Sequence, residues 1–199
     1  MSVATERKAL FARRDLVERL IAMASSRGSS LYSLVNEIFE LYIEFEDRGI
    51  KMRSVVDELE FYRRVFGAGF VLVPNVLWLR AVNELYKDVG EEVRNDWLSL
   101  GTWLSRYYQT LGLEDPLRVL LEDIKKVFSW LGEVSITSSA DRGRLEVVMA
   151  GVRGLPSSIP RLVLDMVRGA LKEYGYRLTN SLEGEGVLKA VFERETYEQ

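Results

Sequence analysis

The chain has 199 residues, 47% of them hydrophobic and 29% charged, with a formal net charge of −3, a size that suits one large domain or two small ones. It contains neither cysteine nor histidine, which excludes disulfides, thiolate nucleophiles, sulfur-built zinc sites, imidazole ligands and serine–histidine catalysis. An enzyme made from it would have to rely on carboxylates, lysine, tyrosine or a bound cofactor, so the composition points away from an enzyme, and no metal or cofactor is expected.

The longest apolar stretch, Phe70 to Leu79, contains Pro74 and Asn75 and is far shorter than the roughly 20 residues of a membrane-spanning helix. The N-terminus also lacks the apolar run of a signal peptide. A soluble, cytoplasmic protein without a membrane partner is expected. The net charge conceals a gradient, because residues 1–28 hold six Arg or Lys against three acids, a local balance of +3. Basic charge therefore concentrates at the start of the chain.

In chain order, a short basic segment with strand character (Arg7-Lys8-Ala9-Leu10-Phe11-Ala12) comes first. Leu16, Leu20 and Ala24, flanked by Val17 and Ile21, then recur at the spacing of one helix face, which predicts a helix from about Arg14 to Ser26 ended by Gly28. Ser29 or Ser30 can cap a second helix with the stripe Leu31, Val35, Ile38, Phe39 and Tyr42, running to about Asp47 and closed by Arg48-Gly49. A third, connecting helix is predicted from about Ser54 to Val65. After Phe66 to Phe70 the pattern breaks, and Val71 to Pro74 reads as a short extended piece. Helices follow over about Asn75–Val89, ended by Gly90, and about Glu91–Leu111, ended by Gly112. Asp115-Pro116 supplies a cap and a first-turn proline for a helix to about Leu131. Two β-rich runs, Glu133–Ser139 and Arg144–Gly151, are joined by the hairpin signal Ala140–Gly143. A helix from Ser157 to about Tyr174-Gly175 and two further strands, about Tyr176–Leu182 and Val187–Glu193, complete an α+β pattern.

The N-terminal order of one strand and two helices with Gly28 at the joint resembles the ribbon-helix-helix family of dimeric DNA-binding proteins. Leu16, Leu20, Ala24 and Gly28, then Ser33, Val35, Ile38 and Phe39, carry the match over about 45 residues. The resemblance implies a homodimer in which one strand from each chain pairs antiparallel and enters the major groove of double-stranded DNA. Alternation from Leu16 puts Lys8, Leu10 and Ala12 on the core face and Arg7, Ala9 and Phe11 on the DNA face. Alanine and phenylalanine offer only contact with thymine methyls, a departure from the polar readers usual in the family. Phosphate contact is expected from the backbone N–H groups of Ser29, Ser30 and Leu31 with the Ser33 hydroxyl, at the positive end of the second helix, and from Arg13 and Arg14. The competing expectation is a module that only dimerises, its arginines forming a solvated face.

From about Phe70 onward, Val71-Leu72-Val73-Pro74, Leu100-Gly101-Thr102-Trp103-Leu104, Met166-Val167-Arg168-Gly169-Ala170-Leu171 and Leu182-Glu183-Gly184-Glu185-Gly186-Val187 resemble the vinyl-reductase-type ligand domains and the related subunits of the TRAPP trafficking complex. That resemblance implies helices on a four-stranded antiparallel sheet around an apolar cavity, taking a small apolar ligand or a protein partner. Trp78, Trp97, Trp103 and Tyr107, with Trp130, are the candidate pocket residues, against the plainer reading that they are core. The Gly67-Ala68-Gly69 and Gly184-Glu185-Gly186 pairs lack the remainder of a phosphate-cradling loop and read as turns. Asp57-Glu58, Glu91-Glu92, Glu122-Asp123 and Glu183/Glu185 read as solvated faces.

The organisation expected is a ribbon-helix-helix-like module over 1–49, a helical connector over 50–66 and an α+β domain over 67–199. The function expected is a homodimeric DNA-binding transcriptional regulator with a sensing or protein-interaction domain. The alternative is a dimeric assembly or scaffold protein that does not bind DNA.

Overall fold

A computed structural model of the protein describes Ala9, residues 11–151 and residues 154–195. The chain divides into two units, Met1–Tyr62 and Arg63–Gln199, a boundary that falls inside the third helix. The first unit contains α1 (Arg14–Ser26), α2 (Leu31–Asp47) and the start of α3 (Met52–Gly67). Of the N-terminal strand expected over 7–12, Arg7, Lys8 and Leu10 lie outside the described residues; Ala9, Phe11 and Ala12 are exposed and belong to no strand.

Gly28 ends α1 with φ 65°. Its N–H reaches the Ser25 carbonyl at 3.2 Å, and the Ser29 N–H returns to the Ala24 carbonyl at 2.9 Å. This pair of bonds satisfies the last carbonyls of the helix, and it requires a left-handed residue that glycine supplies without a Cβ clash. The Ser30 Oγ then accepts the Ser33 N–H at 3.0 Å and caps α2.

In the second unit come α4 (Asn75–Thr110), α5 (Pro116–Phe128), a 3-10 turn (Ser129–Leu131), β1 (Gly132–Ser138), β2 (Arg144–Gly151), α6 (Ser158–Lys172), β3 (Tyr176–Gly184) and β4 (Val187–Arg194). The sheet is four-stranded and antiparallel in the order β1-β2-β4-β3, so the unit is α+β. Leu145, Val147 and Met149 of β2 pair in register with Phe192, Ala190 and Leu188 of β4. All six are buried, forming the face on which the helices pack, and α6 contributes Ile159, Leu162, Val163, Met166, Val167 and Leu171 to the buried interior. Pairing of β3 with β4 slips between Leu178 and Asn180, a bulge that lets the strand bend.

The two helices expected over 75–89 and 91–111 follow one another across non-helical Val89 (φ −136°, ψ 44°), so α4 is two helical segments meeting at a kink. One element differs from expectation. The segment 71–74 is irregular backbone, exposed throughout. Past the kink, α4 lies against α6 at very short range. A Cβ on Gly101 would overlap the Met166 carbonyl, and one on Gly169 would overlap the Leu98 carbonyl. The approach is fastened by Ser105 Oγ donating to the Ala170 carbonyl at 2.6 Å. Glycine costs about 1 kcal/mol within a helix, and here it permits a contact that no other residue allows.

Candidate functional site

The first unit buries very little of itself. Ala24 and Leu34 are its buried apolar residues among those described through Tyr62. Leu31 and Val35 are half-buried, while Ile38, Phe39 and Tyr42, expected on the buried stripe of α2, are exposed, as are Leu16 and Ile21 of α1. Leu34, absent from the expected stripe, is the residue that α2 buries. Two helices of 13 and 17 residues have one surface to share with each other, which leaves the remaining apolar faces in solvent within a single chain.

Of the expected DNA-contacting residues, Arg7 lies outside the described ones. Ala9 and Phe11 are exposed, with no side-chain hydrogen-bonding group to offer a base. Arg13 donates to Asp15 at 2.6 and 3.1 Å and Arg14 to Glu18 at 2.7 Å, so each guanidinium already has a carboxylate beside it. These are exposed pairs, worth little in themselves and open to exchange with a phosphate. The Arg13 hydrogen bond holds the Asp15 carboxyl below its ordinary value. At the start of α2 one expected donor is corrected: the Ser29 N–H is bonded to Ala24 because it closes α1. The Ser30 Oγ is an acceptor in the cap, Ser33 is exposed, and the Ser33 N–H is taken by the cap.

In the second unit, the expected pocket aromatics form two separate groups. Trp78 meets Trp97 and Trp130 edge-on at 6.0 and 5.2 Å, and Trp97 stacks on Phe128 at 6.2 Å. Trp103 stacks on Tyr107 with ring planes 5° apart and remains half-exposed. Aromatic rings in these arrangements satisfy one another.

Neither group lines the cleft of about 470 Å³ whose walls are Glu114, Asp115, Leu117, Arg118, Arg142, Tyr174, Tyr176 and Arg194. These residues come from the start of α5, the β1–β2 hairpin, the approach to β3 and the end of β4. Asp115 is central to the geometry. It caps α5 by accepting the Arg118 N–H at 3.1 Å, and it pairs with the Arg142 guanidinium at 2.9 Å. The cap, then Arg142, holds its carboxyl below the ordinary aspartate range. Arg142 adopts φ 55°, uncommon for a residue with a Cβ, and its carbonyl accepts the Tyr176 hydroxyl at 2.6 Å. The Tyr174 hydroxyl is buried with no partner in hydrogen-bonding geometry; burial raises its pKa, against the opposing effect of the nearby Gln109 side chain. A smaller adjoining pocket, about 190 Å³, shares Asp115, Arg118, Arg142 and Tyr176 and adds Leu121, Ile136 and Leu145.

Buried charge occurs at two further places. Asp123, expected on a solvated face, is 2% exposed; it receives Arg64 Nε and Nη2 at 2.6 and 3.0 Å and the Tyr108 hydroxyl at 2.7 Å. Its place on the inner face of α5 puts it against a guanidinium 59 residues away in sequence, and this long-range partner makes the burial possible. Burial, then Asp123, pushes the Tyr108 phenol far above its ordinary value. Asp165 of α6 is likewise buried, between Arg94 at 2.8 Å and Arg168 at 2.9 Å. Both clusters pair their charges internally and serve as fasteners. Among the described residues no group of three or more carboxylates is placed to hold a metal ion, and no helix is long and apolar enough to cross a membrane.

Compared with known proteins, the chain matches no family model, and none of the curated proteins is significantly similar to it. What the molecule itself defines is an α+β unit with a polar cleft, preceded by a helical unit with uncovered apolar faces.

Proposed function

We propose that the protein is a homodimeric DNA-binding regulator: its first unit associates with a second copy and contacts DNA phosphates, and its second unit binds a small molecule or a protein. The observation that carries the reading is the exposure of Leu16, Ile21, Ile38, Phe39 and Tyr42 on helices whose ends at Gly28 and Ser30 are well formed. Ordered helix ends with uncovered apolar faces describe helices formed to be packed against. The basic excess of residues 1–28 and the serine-rich start of α2 add positive potential to the same unit. The last turn of α3 is fastened to α5 by the bond from Arg64 to Asp123, which gives binding in the second unit a helix through which to act.

A second reading, a dimeric assembly protein without DNA binding, draws on two observations. Arg13 and Arg14 have carboxylate partners within their own chain, and the second unit exposes the apolar run Val71, Leu72, Val73, Val76 and Leu77, a surface suited to a protein partner.

Sedimentation equilibrium with fluorescence anisotropy on duplex DNA across a salt series separates the two. The regulator reading expects a dimer and a negative slope of log affinity against log salt. Replacing Arg7, Arg13 and Arg14 with alanine then makes the slope shallower by about one for each phosphate that is no longer neutralised. A dimer without DNA binding at low salt leaves the assembly reading. A monomer at all concentrations removes both.

A further inference from the structure

The geometry points to the cleft between α5, the β1–β2 hairpin and the strand ends as a binding site for a small organic phosphate, with the dianionic head held by Arg118 and Arg194 and an apolar body directed along Leu121 and Ile136. The inference rests on reading the second unit as ligand-binding and is independent of whether the first unit contacts DNA.

Its first support is charge. Three guanidiniums line the cleft in a chain whose net charge is −3. Arg142 is neutralised by Asp115, and both carboxylate oxygens of Asp115 are in use, one on the Arg118 N–H and one on Arg142. Among the described residues neither Arg118 nor Arg194 has a carboxylate at ion-pair distance, and the Arg118 guanidinium acts on Asp115 only through its charge, helping to lower that carboxyl's pKa. Arg194 instead lies 6.0 Å from the centre of the Tyr176 ring, an arrangement that holds the guanidinium over an aromatic face. Three guanidiniums against the carboxylates of Asp115 and Glu114 leave the cleft wall cationic, and the planar fork of arginine suits phosphate oxygens in particular. Glu114, on the cleft wall, disfavours a ligand with further negative charge.

The second support is the Tyr174 hydroxyl, a buried group of a cleft-lining residue that has the Gln109 side chain beside it but no partner in hydrogen-bonding geometry. Leaving such a group unsatisfied is costly, and a phosphate oxygen is an acceptor for it. The third is construction. Arg142 is held in a left-handed conformation by the Tyr176 hydroxyl and Asp115, and uncommon backbone fixed by its surroundings is a feature of binding sites. At about 470 Å³ the cleft is within the range of small-ligand sites, and the adjoining pocket with Leu121, Ile136 and Leu145 supplies the apolar wall that such sites carry.

The test is isothermal titration of the full chain, without DNA, using phenyl phosphate, inorganic phosphate, benzoate and benzyl alcohol as probes. The expected order is phenyl phosphate tightest, inorganic phosphate weaker, and benzoate and benzyl alcohol weakest. Arg118→Ala and Arg194→Ala each weaken phenyl phosphate binding about tenfold or more through removal of a charge-assisted hydrogen bond. Arg80→Ala, on α4 and outside the cleft, leaves it unchanged. Neither cleft arginine belongs to the buried core, so the variants fold, which thermal melts verify. No binding of phenyl phosphate overturns the inference. So does equal binding of benzoate or benzyl alcohol, and so does an equal weakening in Arg80→Ala, which would mark nonspecific attraction. Absence of DNA binding in a protein that still binds phenyl phosphate would end the regulator reading alone.

Discussion

The two units are built from helices with comparable apolar content and meet different fates. α2 carries as large a share of apolar residues as α6, yet α6 is buried along nearly its whole length while α2 buries Leu34 alone. The difference lies in what the rest of the chain brings to each helix. α6 has α4 on one side and the sheet on the other, with α4 held at close range by Gly101, Gly169 and Ser105. Within one chain α2 has α1, a helix of 13 residues. An amphipathic pattern specifies a face to be covered, and topology decides whether the same chain covers it.

The sharpest way to break this comparison is to remove one aromatic from each unit. Phe192, on β4 at 0% exposed, has its ring enclosed on all sides, so Phe192→Ala is expected to lower the unfolding free energy by about 3–5 kcal/mol at every protein concentration. Phe39, 42% exposed in one chain, gains its burial from a second copy if the first unit dimerises. Phe39→Ala is therefore expected to leave the melting of the second unit unchanged and to weaken self-association, read as dissociation at higher protein concentration in sedimentation. Equal, concentration-independent losses in both variants would show that the first unit is complete by itself.

A smaller effect tests how α6 gains its cover. Gly101→Ala raises helix propensity but puts a methyl group into the Met166 carbonyl, so α4 and α6 must separate. A destabilisation of about 1–3 kcal/mol is expected in urea denaturation. A neutral or stabilising result would mean that the two helices can part freely, and that α6 owes its burial to the sheet.

The same contrast explains what is legible in the sequence. Helix ends are, because their causes are local: Gly28 and Gly112 are left-handed and Asp115 caps the helix opened by Pro116. The β1–β2 hairpin is legible too, through the turn residues between two β-rich runs, and with it the α+β order of the second unit. Burial is less so. Asp123 looks like a solvated acid because its partner, Arg64, is far away in sequence, and Leu34 escapes notice because a stripe drawn for a fully covered helix points elsewhere. The cleft is not legible at all. In sequence Asp115 is a cap, Arg142 part of a turn, Tyr176 the start of a strand and Arg194 the residue after one. Their convergence is a product of the sheet order β1-β2-β4-β3, for which no local pattern exists.

The smallest expected effect concerns acid. Asp15 in the first unit and Asp115 in the second both have carboxyls held below the ordinary range, and the sign of the linkage is the same for each. When the folded state depresses a carboxyl's pKa, the unfolded chain takes up the proton first as pH falls. The stabilisation is then fully present above the unfolded value of about 3.9 and is lost as pH descends from there through the folded value. The surroundings differ, however. Asp15 is an exposed partner of an exposed arginine, whose attraction water screens, whereas Asp115 is partly covered, closes the first turn of α5 and holds the hairpin through Arg142. Asp115→Asn is therefore expected to flatten the loss of the second unit's stability below about pH 4, with Asp15→Asn leaving that profile unchanged, as measured by denaturant midpoints across an acid series. If Asp15→Asn flattened the profile as much as Asp115→Asn, local ion pairs in the first unit would be contributing to the stability of the second, and the independence on which the comparison stands would fail.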